Sequence, residues 1–396
     1  EHKQQPGSPF PYTPEADMNR NVSAPSTPPR RPILPVEDPD SSWRVLNESQ
    51  SFVTIPTKEA LATTSSAPST QSSFVRIACI SDTHGKHRGI NIPKCDILVH
   101  GGDFTNTGEP EQVEDMSRWF GELKSNGTVR DAIICIAGNH DLTFQPKHYE
   151  KCWRNFHLKP LDDARARRGI GNCTYLEDEA CTVGGISFYG SPWQPEFYDW
   201  AFNLPRSEIH EVWSRIPATT DVLVTHGPPL GRGDRCEPHG NRAGCVDLLR
   251  EVQNRPQPPR LHIFGHIHEG YGVTYDGKTM FINASSVTRG YSPDNPCIVI
   301  DLPRDVNEPP SLVLPSGCNM TDRELLHWLG KRDYDSILPY FERAQPRLEG
   351  KDVVVPDGVS YEDIFRRLKI QPRGYAAEAV RRALARLRSE LYGGFC

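Results

Sequence analysis

The amino-acid sequence predicts a layered α/β domain, and three observations support this fold class. Short apolar runs bounded by turn residues recur between residues 74 and 303, which is typical of buried strands. Helical patterns over residues 113–123 and 244–252 separate several of these runs. Polar clusters follow the runs, as expected where strand ends form a ligand site. The predicted strands are residues 77–80, 96–99, 132–137, 186–189, 222–225, 261–264, 280–283 and 297–300.

The composition divides the chain into four regions. Residues 1–73 are rich in Pro, Ser, Thr and Gln, which predicts a disordered arm. Residues 74–303 carry the α/β pattern, and residues 304–319 form a proline-containing linker. Residues 320–396 contain two capping boxes and an apolar stripe, which predict a small α-helical region. We expect this helical region to be the candidate docking element for a protein partner.

Charge and cysteine usage limit the class of protein. The chain has 396 residues and a net charge of −6, so nucleic acid is not an expected partner. No apolar run is long enough to span a bilayer, and the first residues do not resemble a signal peptide. The eleven cysteines are scattered singly, with no Cys-x-x-Cys pair. These features favour a reducing, cytoplasmic location without membrane association.

Five predicted strands end in residues that can bind a metal ion. The first is followed by Asp82-x-His84, and residues i and i+2 of extended backbone face the same side. One Asp-x-His is also compatible with a turn aspartate beside a surface histidine. Later strand ends repeat the pattern, and the full set is Asp82, His84, Asp103, Asn139, His140, Asp141, His226, His266 and His268. Their repetition at successive strand ends predicts one shared site.

The order and types of these residues resemble the calcineurin-like metallophosphoesterase superfamily. Its signature is Asp-x-His, Gly-Asp, Gly-Asn-His, a later strand-end His and Gly-His-x-His, and this chain matches each part. The stretches VTHGPPLG (224–231), GCVDLL (244–249) and FGHIHEGYG (264–272) are similar to the metallophosphoesterase-domain-containing (MPPED-type) phosphodiesterases. The resemblance covers residues 74–303 and implies an αββα sandwich.

This resemblance implies a site for two divalent metal ions, with Asp103 as the bridging ligand. The other ligands would be Asp82, His84 and His268 for the first ion, and Asn139, His226 and His266 for the second. A set of His, Asp and Asn without Cys suits Mn²⁺, which we expect first, and also Fe, Zn, Co or Ni. A hydroxide held between the ions would attack phosphorus while the ions neutralise the phosphate oxygens.

The resemblance also assigns catalytic roles to two residues that are not ligands. His140 would contact the phosphate and protonate the leaving oxygen, and Asp141 would orient its imidazole. The alternative for His140 is a structural histidine that supports the ligand Asn139.

The implied activity is hydrolysis of small phosphodiesters or nucleotides, with cyclic nucleotides as the expected substrates. Alternatives are a phosphomonoesterase or nuclease of the same superfamily, or a scaffold protein with a relic metal site. Asn106 stands where purple acid phosphatases carry Tyr, and Thr107 where Ser/Thr protein phosphatases carry Arg, which disfavours both groups. The chain retains His266, which some similar proteins lack, so we expect a complete dinuclear site.

Overall fold

A computed structural model describes residues 36–53, 55–59, 72–236 and 240–314. The strands are β1 Thr57–Glu59, β2 Phe74–Ile80, β3 Cys95–His100, β4 Val129–Cys135, β5 Thr174–Tyr175, β6 Glu179–Val183, β7 Ile186–Ser191, β8 Gln194–Pro195, β9 Asn203–Leu204, β10 Val222–Thr225, β11 Leu261–Phe264, β12 Gly272–Tyr275, β13 Met280–Asn283, β14 Ile298–Pro303 and β15 Ser311–Leu314. The α-helices are α1 Pro39–Leu46, α2 Pro110–Ser125, α3 Pro146–Cys152, α4 Asp163–Gly169, α5 His210–Trp213 and α6 Val246–Gln253. Single 3₁₀ turns lie at Asn47–Ser49, His87–Gly89, Leu142–Phe144, Trp153–Asn155 and His268–Gly270.

Two mixed sheets form the centre of the domain. The first has the order β1-β15-β14-β2-β3-β4-β5, and the second has the order β12-β13-β11-β10-β7-β6. Strands β2, β3 and β4 run parallel, as do β7, β10, β11 and β13. A parallel bridge between Ser81 and Ser285 joins the carboxyl ends of β2 and β13, and therefore the two sheets. Strands β8 and β9 form a separate two-stranded ribbon.

The side chains of each strand alternate between two cores, which explains why the strands are nearly continuous apolar runs. Ile77 of β2 and Val222 of β10 lie in the same buried cluster, so this core fills the space between the sheets. Ala78 and Ile80 of β2 instead pack with residues of α2. The outer face of the second sheet packs against α5 and α6. The predicted αββα arrangement is therefore confirmed.

All eight predicted strands and both predicted helices overlap observed elements. Helix α2 begins with Pro110 at its first turn and buries Val113, Met116, Phe120 and Leu123 along one face. Among the described residues, no helix combines the length and the apolar character needed to cross a membrane.

Two predicted boundaries are wrong. Part of the predicted disordered arm is ordered: α1 and β1 lie within residues 36–59, and Trp43 and Phe52 are buried. The composition of this segment is polar, but its two buried aromatic residues pack on the domain, and Gln50 and Ser51 accept hydrogen bonds from Arg232. Part of the predicted linker is also a strand, because β15 pairs with both β14 and β1. Residues 1–35 and the predicted helical region at 320–396 lie outside the described residues.

Candidate metal centre

The parallel strands bring all the predicted metal-binding residues to one end of the two sheets. Three overlapping groups have potential ligand atoms within 4.8 Å of one another, and they are Asp82 with His84 and His268, His84 with Asp103 and His140, and Asp103 with His226 and His266. Asn139 joins the third group through its side-chain oxygen. These residues come from the ends of β2, β3, β4, β10 and β11, so the tertiary structure assembles one continuous cluster.

The first half of the cluster surrounds the Asp82 carboxylate. His268 Nε2 lies 3.4 Å from Asp82 Oδ1, while His268 Nδ1 lies 3.3 Å from the carbonyl oxygen of Thr288. Asp82 also accepts hydrogen bonds from the backbone N–H of His266 at 3.0 Å and from Ser285 Oγ at 2.9 Å. Burial raises the pKa of Asp82, but the hydrogen bond and charge of His268 outweigh this effect, and the carboxyl is held ionised.

The imidazole of His84 is buried in the cluster without a hydrogen bond to the protein. Both of its ring nitrogens are buried and have no hydrogen-bond partner. Burial lowers the pKa of His84 to about 3, so the imidazole is neutral and offers a lone pair. Its Nε2 lies 3.9 Å from Asp103 Oδ2. A buried unsatisfied imidazole costs free energy, and a metal ion would satisfy it.

The second half of the cluster is built around Asn139 and Asp103. Asn139 Oδ1 lies 2.9 Å from His226 Nε2 and 2.8 Å from His266 Nδ1, and His226 Nε2 is 3.3 Å from Asp103 Oδ2. Burial would lower the pKa of His226, but Asp103 raises it to about 9. Gly101 accepts a hydrogen bond from His226 Nδ1 at 2.9 Å, which turns Nε2 toward the cluster.

The backbone is strained where it presents these side chains. Asp82, His84, Asp103 and His266 have positive φ values of 51°, 43°, 54° and 67°. Residues other than glycine rarely adopt this region, and such strain concentrates at functional sites. The conformation is over-determined by hydrogen bonds, including His84 N to the Asp103 carbonyl at 3.0 Å.

Glycine is required beside two of the carboxylates. A Cβ atom at Gly265 would overlap the carboxylate of Asp82, and one at Gly138 would overlap that of Asp103. Both glycines directly precede a proposed metal ligand, Asn139 or His266. The backbone of one strand end packs directly on the carboxylate from another.

The two predicted catalytic residues occupy different environments. A ring nitrogen of His140 lies within 4.8 Å of His84 and Asp103 ligand atoms, and its Nδ1 is 2.7 Å from the carbonyl oxygen of Asn106. Asp141 is fully buried and accepts hydrogen bonds from Gly138 N, Thr105 N and Thr105 Oγ1 at 2.8, 2.9 and 2.7 Å.

The prediction that Asp141 orients the His140 imidazole is therefore wrong. Asp141 closes the turn that holds Asn139, while the Asn106 carbonyl orients the ring. Burial and the negative charge of Asp103 raise the pKa of Asp141 to about 7. Sequence reasoning could not separate these roles, because Asp141 directly follows His140 and only the structure shows that its side chain points into the turn.

Three further residues contact the cluster and were not among the predicted site residues. Ser285 hydrogen bonds to Asp82, and it lies two residues after the end of β13. The Trp200 ring stacks on His140 with centroids 3.9 Å apart, and the Tyr291 ring lies 4.8 Å from that of His84. Neither aromatic residue follows a predicted strand, so the strand-end pattern could not find them.

The chemistry of the cluster fits a pair of divalent cations. Two ionised carboxylates, an amide oxygen and neutral or hydrogen-bonded imidazoles converge within one buried space. Burial alone would raise the pKa of Asp103, but His226 and His140 hold it well below its usual range. Mixed O and N ligands of this kind suit divalent transition metals. A carboxylate between two cations can bridge them, and the Asp103 carboxylate lies between the two halves of the cluster.

Comparisons with known proteins agree with this chemistry. A family model described as Calcineurin-like phosphoesterase matches residues 75–270. Metallophosphoesterase domain-containing protein 1 of Homo sapiens is 46% identical over 243 residues, which are 59% of this chain and 73% of that protein. The UPF0046 protein T07D4.2 of Caenorhabditis elegans is 37% identical over 283 residues, which are 67% of this chain and 68% of that protein.

Solved structures resemble the chain only distantly. The structure of a putative 5'-nucleotidase from Staphylococcus aureus is 13% identical, with a TM-score of 0.37 over 66% of this chain. This chain covers 59% of the length of that protein. A likeness at this level carries no weight for fold or function.

Proposed function

Because the chain belongs to the calcineurin-like phosphoesterase family, whose members are metal-dependent phosphoester hydrolases, we propose that it hydrolyses small phosphodiesters such as cyclic nucleotides. The observation that carries the proposal is the buried His84 imidazole, which has no hydrogen-bond partner inside a cluster of aspartate and histidine side chains. A relic site has no physical reason to keep such an arrangement, since each unsatisfied buried group destabilises the fold.

We assign the proposed ligands to two metal ions, following the two halves of the cluster. Asp103 would bridge the ions, because its Oδ2 lies 3.9 Å from His84 Nε2 and 3.3 Å from His226 Nε2. The remaining ligands would be Asp82, His84 and His268 for one ion, and Asn139, His226 and His266 for the other. We propose Mn²⁺ as the first choice of metal, with Fe, Zn, Co and Ni as alternatives of the same ligand class.

The bound cations would neutralise the phosphate oxygens and lower the pKa of the attacking water. His140 would donate the proton to the leaving oxygen, because a ring nitrogen lies among the potential ligand atoms of the cluster and the Asn106 carbonyl, 2.7 Å from Nδ1, fixes the orientation of the ring. Trp200 would hold the ring in this position by stacking on it. The backbone N–H of His140 donates a hydrogen bond of 2.7 Å to Asp103 Oδ1 and so links the proton donor to the bridging carboxylate.

We also propose a reducing, cytoplasmic location. All nine cysteines of the described residues are free thiols. Burial raises the pKa of several of them, including Cys79, Cys95 and Cys297, which keeps them unreactive.

The test is a turnover assay of the metal-reconstituted full chain with three substrates. These are a chromogenic diester, the corresponding monoester and single-stranded DNA. We expect turnover of the diester to be fastest and to require added Mn²⁺. Turnover of the monoester alone would contradict the diesterase assignment, and cleavage of DNA alone would make the protein a nuclease. Hydrolysis of none of the three by protein that binds two metal ions would favour a scaffold.

A further inference from the structure

Two exposed aromatic rings stand beside the metal centre with no role in holding metal ions. Phe197 and Tyr198 lie in the loop between β8 and β9, and 49% and 81% of their surfaces are exposed. Their rings contact each other edge to face, with centroids 4.7 Å apart. We call this pair of residues the aromatic tip.

The aromatic tip is held in place by hydrogen bonds to its backbone. Asn203 Nδ2 donates to the carbonyl oxygens of Phe197 and Tyr198 at 3.1 and 2.9 Å. Tyr198 has a φ of 48°, a strained conformation for a residue with a side chain. Gln194 Nε2 donates to the carbonyl of Ala201 and to Asn203 Oδ1 at 2.7 and 2.9 Å, which closes the base of the loop. The loop therefore presents two apolar rings to solvent on a fixed backbone.

The same loop is joined directly to proposed metal ligands. The backbone N–H of Ala201 donates to the carbonyl oxygen of Asn139 at 3.1 Å. The Phe197 ring lies 6.1 Å from the imidazole of His266, centroid to centroid. Trp200, three residues after Phe197, stacks on His140. Phe197 is consequently part of the wall of the metal centre on the side of His266, and Tyr198 extends that wall through its contact with Phe197.

Tyr291 is a third exposed aromatic residue at the metal centre, and its contacts differ from those of the aromatic tip. The Tyr291 ring packs against His84 at 4.8 Å and His268 at 5.3 Å, on the side of the other proposed ion. Lys86 Nζ also lies 5.7 Å from the Tyr291 ring centroid. These contacts leave 40% of Tyr291 exposed, compared with 49% of Phe197 and 81% of Tyr198.

The size of the aromatic tip favours a small planar ligand over a protein. At these exposures the two rings offer roughly 250 Å² of apolar surface. This is about a third of what one partner contributes to a standard protein–protein interface. It is enough for one aromatic ring system to stack on, and a nucleotide carries such a ring one sugar away from its phosphate.

We propose that Phe197 and Tyr198 form a stacking subsite for the nucleobase of a nucleotide substrate whose phosphate binds at the metal centre. The inference rests on the proposed function and narrows its substrate class to phosphodiesters that carry an aromatic base. Stacking tolerates every base, because each has a π face, so the subsite selects nucleotides without selecting one base.

The test compares one substrate that has a base with one that lacks it. The full chain, Phe197→Ala and Tyr198→Ala are reconstituted with Mn²⁺ and assayed with cyclic adenosine monophosphate and with the matching cyclic phosphate of methyl riboside. Val306→Ala is the control, because Val306 is 69% exposed and follows Pro303, which pairs with Phe74 at the opposite end of β2 from the site.

We expect each aromatic variant to raise the KM for cyclic adenosine monophosphate by about tenfold. The rise in KM for the base-free substrate should be much smaller, and Val306→Ala should leave both KM values at those of the parent. An equal change for both substrates, or no change for either, would overturn the subsite while leaving the phosphodiesterase assignment in place.

A binding measurement separates the failure of the subsite from the failure of the proposed function. If the parent protein hydrolyses neither cyclic phosphate, titration calorimetry with adenosine monophosphate and ribose phosphate tests stacking without turnover. The subsite would be supported, although diester hydrolysis had failed, if the parent bound adenosine monophosphate more tightly than ribose phosphate and Phe197→Ala lost this difference. Equal affinities of the parent for the two ligands would overturn it.

Discussion

Replacing Trp43 by alanine tests whether the segment before the α/β domain is part of its folded structure. Trp43 lies in α1 and is 8% exposed. The guanidinium of Arg242 lies 4.3 Å from its ring centroid, and the Phe52 ring packs edge-on at 6.5 Å. The ring also fills the space beside Gly231, where a Cβ atom would overlap it.

The expected loss follows from these contacts. Truncating a buried tryptophan to alanine costs about 3–5 kcal/mol, and a cation–π contact between buried groups contributes about 2 kcal/mol. If the segment undocks while the sheets stay folded, the loss is limited to the docking free energy of the segment. We therefore expect a value near the lower limit, about 3 kcal/mol in the free energy of unfolding.

The measurement is urea denaturation of the full chain followed by circular dichroism. Val45→Ala is the matched control, because Val45 lies in the same helix and is 52% exposed. Limited proteolysis should also cut Trp43→Ala within residues 36–59 faster than the control. If Trp43→Ala unfolds within about 0.5 kcal/mol of Val45→Ala, the segment is not docked as described.

The remaining predictions concern the metal centre. Asp103→Asn removes a carboxylate that lies 3.3 Å from His226. We expect this variant to lose one bound cation and nearly all diester turnover. Unchanged turnover would mean that another site does the chemistry. His266→Gly should weaken metal binding and lower turnover by at least about tenfold while the circular dichroism spectrum stays the same; full activity would exclude His266 as a ligand. Gly265→Ala should push the Asp82 carboxylate out of place and lower the metal content measured by mass spectrometry, whereas a parental metal content would show that the backbone can move aside.

The α/β fold was predictable because its signals are local. Each inner strand is buried on both faces, so it must be an apolar run, and α2 must carry an apolar stripe at helical spacing. The missed elements have no such signal. Strands β5, β8 and β9 are two residues long, and β1 depends on pairing with β15 from the far end of the domain.

The proposed ligands were predictable for a related reason. Parallel strands end at the same edge of a sheet, so a sequence with polar clusters after successive apolar runs already implies that the clusters meet. The direction of each side chain was not predictable. Asp141 and His140 are neighbours in sequence, yet one faces a buried turn and the other faces the cluster.

The sequence by itself determined the layered sheets and the order of the potential metal ligands at the strand ends. The reason is that the spacing of apolar residues, their number and the residue types after each run are properties of short segments. Only the tertiary structure decided that Trp43 docks beside Gly231, that His84 is left without a hydrogen-bond partner and that Phe197 stands next to His266. Each of these facts joins residues far apart in the chain, and a contact between distant segments depends on how all the layers pack together.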